Sequence, residues 1–274
     1  MNGAVAIVTG GASGIGSALG AELAARGVEV ILADRQVEMA EAVAESIREH
    51  GNKASAIALD VRDAEQFDAI VREIAVRHKR LDYLFNNAGI VIGGRADRFT
   101  NADWDEVIDV NIRGVAHGIR AAYPLMIRQR HGHIVNTASL AGLCPVPLMI
   151  SYVAAKYAVV GMSKALRLEA AEHGIRVTAL CPGVIRTPIL NGGRYGRIRP
   201  ELGAETYLKL VEYLRPSDPA RFARRVVDAL GRNPAVIIEP PWWRLIWFLD
   251  RALPGASARI TRRFLTSWFH KYPS

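Results

Sequence analysis

The chain has 274 residues, half of them hydrophobic and 23% charged, as expected of a globular protein with a sizeable core. Its formal net charge is +8, but over residues 240–274 Arg244, Arg251, Arg259, Arg262, Arg263 and Lys271 stand against Asp250 alone, so most of the excess sits there. The body holds no basic block with interleaved aromatics and no apolar run long enough to span a bilayer, which argues against nucleic-acid binding and a transmembrane segment. Cys144 and Cys181 are too few for a disulfide framework or a zinc site, and both are read as packing residues. No charged and then apolar leader precedes the first strand pattern at Ala4, so a cytoplasmic location is expected.

In chain order, short β-branched runs fall at 4–8, 28–33, 54–59, 81–85, 133–137, 176–181 and 235–238. Between them, helical periodicity covers 14–26, 37–49, 64–78, 101–130 and 151–173. This alternation implies right-handed βαβ units. The fold expected is a single α/β domain over residues 1–239: a doubly wound, Rossmann-type parallel sheet with helices on both faces. Residues 187–216 break the rhythm with Gly192, Gly193, Gly196, Pro200 and Gly203. They are read as a mobile loop with at most one helix, placed where a substrate lid would be.

The first strand ends in Thr9-Gly10-Gly11-Ala12-Ser13-Gly14-Ile15-Gly16. Glycines allow a tight turn, and the next helix aims free N–H groups and its positive dipole end at a pyrophosphate. The spacing is not GxGxxG, and a plain β–α turn is the competing reading. Asp34 ends the second strand run, where a carboxylate can accept the ribose hydroxyls of a dinucleotide, although it could instead cap a helix. A 2′-phosphate about 4 Å away would cost roughly 4 kcal/mol per unit of like charge at intermediate dielectric. Arg35 would offset part of that. NAD is therefore favoured over NADP.

With Asn86-Asn87-Ala88-Gly89 after the fourth strand run, Ser139, Tyr152-Val153-Ala154-Ala155-Lys156 and Pro182-Gly183-Val184-Ile185-Arg186-Thr187, the chain resembles the short-chain dehydrogenase/reductase family over about residues 4–187. The resemblance implies hydride transfer between a nicotinamide dinucleotide and an alcohol/carbonyl pair, with Asn111, Ser139, Tyr152 and Lys156 as the catalytic set. It implies cofactor contacts from Gly10, Ser13, Gly14, Ile15, Gly16, Asp34 and Arg35 in the first half of the site. Asp60 and Val61 would meet the adenine, with Asn87, Ala88 and Gly89 on the ribose side. Tyr152, Lys156, Pro182, Gly183, Ile185 and Thr187 would complete the nicotinamide end. Members commonly form dimers or tetramers, so a homo-oligomer is expected.

The physical logic of that set is independent of the likeness. Tyr152 and Lys156 are four apart and share a helix face. A phenol ionises near pH 10, and a base useful near neutrality needs that lowered by about three units, or roughly 4 kcal/mol. One ammonium at about 4 Å supplies as much. Ser139 could orient the substrate oxygen, and Asn111, by resemblance, would hold a water linking Lys156 to solvent. Taken singly, a surface lysine, a buried tyrosine, a strand-end serine and a mid-helix asparagine explain the same residues. Leu143, Val146, Leu148, Met149 and Ile150 suggest an apolar pocket, hence a hydrophobic secondary alcohol or ketone as substrate. An NADP-dependent carbonyl or ketoacyl reductase is the alternative, and a non-catalytic dinucleotide-binding protein the third reading.

The seven histidines show no metal spacing, and no metal site is expected. His131 and His133, flanking Gly132, are read as solvated or capping. Residues 240–274 form an amphipathic extension. Ile260, Phe264, Leu265, Trp268, Phe269 and Tyr272 fall on one half of a helix, and Arg259, Arg262, Arg263 and His270 on the other. Such a helix suits a bilayer interface; packing on its own core or on a partner subunit is the competing reading.

Overall fold

The computed structural model describes residues 1–199 and 202–271, and every structural statement below refers to these residues. Seven strands form one wholly parallel sheet: β1 (Val5–Thr9), β2 (Glu29–Asp34), β3 (Ala54–Ala58), β4 (Tyr83–Asn86), β6 (Gly132–Thr137), β7 (Ile175–Pro182) and β9 (Val236–Glu239). Their order is β3-β2-β1-β4-β6-β7-β9. The chain winds outward from β1 to β3, then crosses back to β4 on the other side of β1, which puts the topological switch point between β1 and β4.

Helices α1 (Gly14–Ala25), α2 (Val37–Glu49) and α8 (Pro219–Leu230) cover one face, through Leu19, Leu23, Ala44, Phe222 and Val226. On the other, α3 (Ala64–His78), α5 (Gly114–Gln129) and α6 (Ile150–Ala171) bury Phe67, Ile74, Met126 and Ala170. Burying each large apolar side chain stabilises the fold by about 1.5–3 kcal/mol. Strand residues such as Ile7, Val8, Leu32 and Leu84 are inaccessible on both faces, which is why these runs read as continuously apolar.

The sequence suggests one helix over 101–130, but the structure divides it. Helix α4 (Asn101–Ile108), with a Thr100/Asp103 capping box, passes through a single π turn at Asp109–Arg113 into α5. The 187–216 segment is more ordered than expected. It holds β8 (Gly196–Ile198), paired in parallel with β5 (Val91–Gly93), and α7 (Ala204–Tyr213). Gly196 has φ +142, and a β-carbon there would lie 1.7 Å from the Val91 carbonyl oxygen, so only glycine permits this pairing. Arg197 and Arg199 then tie the segment to Asp103, Arg197 at 3.0 Å, and Arg197 also reaches Glu106 at 2.7 Å. Pro200 of that loop lies outside the described residues.

Helices α9 (Trp243–Ala252) and α10 (Pro254–Lys271) follow β9. Part of the apolar half of α10 packs on the chain itself, with Phe264 5.8 Å and Trp268 5.2 Å from the Tyr213 ring. Phe264 and Trp268 thus pack on their own chain, as the packing alternative has it, whereas Ile260 of the same half is 68% exposed. Tyr272 and the Phe269 side chain fall outside the described residues. His133 is also not solvated. It is fully buried in β6 with its Nε2 2.9 Å from Thr178 Oγ1, and burial pulls its pKa down to about 3. His131 is half-exposed and pairs with Asp82 at 2.9 Å.

Candidate active site

One cavity of about 450 Å³ runs along the carboxyl ends of the strands, from Asp34 across the switch point to Tyr152 and on beneath α10. At the switch point Thr9 joins β1 to the loop after β4. Its Oγ1 accepts from the Asn87 and Ala88 amides at 2.9 and 3.0 Å and donates to the Phe85 carbonyl at 3.2 Å. Asn87 donates through Nδ2 to the Thr9 carbonyl at 3.0 Å. Gly10 has φ +68, and a β-carbon there would press to 3.0 Å from Ala88 Cα. A β-carbon on Gly16 would lie 2.0 Å from the Gly10 carbonyl oxygen, so the turn closes only on glycine.

Gly10, Ser13, Gly14, Ile15, Asp34, Arg35, Asp60, Val61, Asn87, Ala88, Gly89, Tyr152, Lys156, Pro182, Gly183, Ile185 and Thr187 all line this one cavity, together with Ser139. Gly16 and Asn111 do not. The first shapes the turn from behind, and the second lies beneath the floor.

The residues fit a dinucleotide. Ser13 stands at the N-cap of α1 without a side-chain cap bond, and the first turn carries no acidic residue, so its amides and dipole face the cavity uncompensated. The Asp34 carboxylate accepts from the Ala12 amide at 3.1 Å and the Gln36 amide at 3.0 Å, leaving lone pairs for ribose hydroxyls. Arg62 also lines this end, which sequence reasoning missed. It forks onto Asp60, with Nη2 2.5 Å from Oδ2, and this bond holds the Asp60 carboxyl below the ordinary range.

At the other end, Tyr152 and Lys156 sit on successive turns of α6. Lys156 is buried; its Nζ donates to the Thr137 carbonyl at 2.8 Å and lies 5.5 Å from the centre of the Tyr152 ring. Ser139, just past β6, accepts from the Ala141 amide at 3.1 Å and lines the cavity with Tyr152, whose ionised form it favours. Asn111 lies in the π turn, wholly buried, and pairs with both backbone groups of Ile90 at 2.9 Å. The space above Gly89 separates it from Lys156. A β-carbon there would be 3.2 Å from Asn111 Oδ1 and 3.4 Å from Lys156 Nζ.

The electrostatics differ from the sequence expectation. Burial pushes the Tyr152 phenol up from its ordinary value, and the neighbouring Ser139 hydroxyl only partly opposes it. The same burial pulls Lys156 down to about 8. Desolvation penalises both charged forms, so the protein's own groups keep the phenol protonated near neutrality. Cys144 faces the core beside Leu143 and Val159, away from the cavity, and burial raises its thiol to about 11.

The substrate end is apolar. Leu148 and Met149 come from the segment before α6, Tyr207 and Leu210 from α7, and Trp243 and Phe264 from the last two helices. Leu148 holds a left-handed conformation (φ +68), fixed in part by the Gly94 amide bonding its carbonyl at 2.8 Å. The α7 wall falls within the 187–216 segment expected to lie over the substrate, whereas the α10 wall was not foreseen. The described residues hold no group of three or more histidine, cysteine or acidic side chains able to bind a metal.

Comparison with known proteins places this geometry. The family model described as short chain dehydrogenase matches residues 4–195. A 3-oxoacyl-[acyl-carrier-protein] reductase FabG of Thermotoga maritima is 34% identical over 227 residues, covering 83% of this chain and 90% of its own. Its counterpart from Staphylococcus aureus is 40% identical over 181 residues, 66% and 74% of the two chains. Among solved structures, a Burkholderia phymatum short-chain dehydrogenase/reductase in complex with NAD superposes with a TM-score of 0.83 at 28% identity, covering 92% and 94%. A metagenomic short-chain oxidoreductase in complex with NADP gives 0.70 at 29%, covering 87% and 97%.

Proposed function

Because the chain belongs to the short-chain dehydrogenase family and is an NAD(P)-dependent oxidoreductase of CH–OH/C=O groups, we propose that it interconverts a hydrophobic secondary alcohol and its ketone with NAD(H). The carrying observation is that Ser139, Tyr152 and Lys156 line one cavity, with the Lys156 ammonium 5.5 Å from the centre of the Tyr152 ring, and that this cavity is polar toward Asp34 and apolar toward α10.

When bound, the nicotinamide dinucleotide supplies the hydride acceptor or donor. The α1 amides and Ser13 would hold its pyrophosphate, Asp34 the adenosine ribose, and Ile185 and Thr187 the carboxamide. Ser139 orients the substrate oxygen. Tyr152 donates its hydroxyl proton to that oxygen in reduction and takes it back in oxidation. Lys156 holds positive charge under the phenol, and Asn111, fixed on Ile90, keeps the floor beneath Lys156 in place. Leu148, Met149, Tyr207 and Phe264 exclude water and bind the apolar part of the substrate.

The reading includes assembly of identical subunits. Tyr157 and Leu168 of α6 are 44% and 77% exposed on one helix face and suit a subunit contact. Among the described residues, no helix is long and apolar enough to cross a membrane.

A second reading, NADPH-dependent reduction of a 3-oxoacyl chain, draws on the FabG relatives and on Arg35 and Arg62 beside Asp34. Titration with both dinucleotides, then turnover of steroid, long-chain, terpenoid and acyl-thioester alcohols and ketones, separates the two. Tyr152→Phe should lower turnover by about 10²–10⁴-fold and leave dinucleotide affinity within a few-fold. Unchanged turnover in that variant would remove Tyr152 from the chemistry.

A further inference from the structure

Helix α9 turns large apolar side chains toward solvent. Trp243 and Trp247 pack inward against the core around Leu143 and Val159. Trp242, Leu245, Phe248, Leu249 and Leu253 remain 45–62% exposed. At the helical period these five, with Ile246, sweep an arc of about 160°, and Arg244 and Arg251 stand along one edge of it. The adjoining α10 is oriented the other way. Its Thr261, Phe264 and Leu265 line the cavity, and Arg259, Arg262 and Arg263 are exposed. Scattered exposed leucines are ordinary, but a contiguous patch with two bulky aromatics is not.

We propose that this α9 face, rimmed by the arginines of α9 and α10, seats the protein on an anionic lipid bilayer. Ten residues cannot span a membrane but can lie in its interface, with the apolar arc toward acyl chains and arginines at the phosphates. Charge decides between lipid and a second copy of the chain. Asp250 is the only carboxylate side chain of the two helices, and it already accepts from Ser257 Oγ at 2.7 Å. A two-fold contact between copies would bring the same arginines against each other, whereas an anionic surface neutralises them. The helix pair also roofs the cavity, so a lipid-dissolved substrate reaches Tyr152 from the surface on which the protein sits. That last clause rests on the functional reading above; the docking face does not.

The test is flotation of the full-length protein with vesicles of phosphatidylcholine alone or mixed with phosphatidylglycerol, alongside light scattering for subunit number. Wild type should float with the mixed vesicles, not with phosphatidylcholine alone, and less at high salt. Leu245→Glu/Phe248→Glu and Arg259→Glu/Arg262→Glu/Arg263→Glu should each cut partitioning roughly tenfold or more, with melting temperature and dinucleotide affinity unchanged. The charge-reversed variant keeps the test alive if the apolar one misfolds. Failure of wild type to float, or equal flotation of the variants, overturns the proposal. So does conversion of a dimer to monomers by the apolar variant with vesicle binding intact. Loss of dinucleotide binding beside normal flotation would sink the functional reading and leave this one standing.

Discussion

The Lys156 ammonium is bonded to the Thr137 carbonyl at 2.8 Å and lies under the Tyr152 ring, 5.5 Å from its centre, so β6 rather than the phenol fixes the lysine. Its charge reaches the phenol only across that gap, and burial holds its pKa at about 8.

That displacement has a stability signature. Between pH 8 and the ordinary lysine value near 10.4, the unfolded chain carries the extra proton, so stability rises with pH. Below about pH 8 the lysine is charged in both states and the burial penalty is largest. Relative to Lys156→Met, wild type should gain on the order of 2 kcal/mol between about pH 8 and pH 10 in urea unfolding. Parallel profiles would mean that the amine is solvated.

Ser139 opposes the burial of the Tyr152 phenolate. Removing it in Ser139→Ala should move the ascending limb of alcohol oxidation to higher pH, besides lowering the rate by about 10–100-fold. Rate profiles against pH, with saturating dinucleotide, measure both. A limb that stays in place would show that Ser139 acts on substrate alone.

Asp34 sets the expected preference for NAD. Asp34→Asn removes one unit of charge while keeping an acceptor for the Ala12 amide. The affinity ratio of NADP to NAD should rise at least roughly tenfold, since the repulsion between the Asp34 carboxylate and the 2′-phosphate is removed. Equal ratios in direct binding titrations would place the selectivity elsewhere.

Asp103 is almost fully buried between α4 and the β8 segment. Burial opposes its ionisation, but bonds from Thr100, Arg197 and Arg199 outweigh that and hold its carboxyl far below the ordinary range. A depressed carboxylate adds stability above its unfolded pKa, near 4, and loses it as pH falls through the folded value. Asp103→Asn should therefore cost about 2 kcal/mol at neutral pH, with the deficit shrinking below about pH 4. KM should also rise, because Tyr195 and Leu202 of the freed segment line the cavity.

Much of this was legible in the sequence because strands buried on both faces must be continuously apolar. All seven sheet strands fall on the expected runs, and the site residues lie at their carboxyl ends. Helix α8 was passed over for a physical reason. Pro216, Pro219 and several glycines look like loop punctuation, yet Phe222, Ala223, Val226, Val227 and Leu230 keep a helical spacing along α8. Periodicity names the residues that share a face and says nothing of what covers it. The apolar half of α10 was therefore visible, but its burial under Tyr213 was not. Nor could spacing reveal that His133 lies inside the sheet or that Lys156 is held by a strand carbonyl. Those relationships depend on register between distant segments.

The π turn at Asp109–Arg113 makes one stretch of chain intolerant of length change. Its single surplus residue offsets α5 from α4 by about 100°, so Asn111 meets the Ile90 backbone while α4 still presents Asp103 to the β8 arginines. Deleting Val110 would let the two helices merge into one regular rod. Either the asparagine would then swing off the floor of the pocket or the aspartate would leave its arginines, so the two ends of the cavity are phased by one amino acid.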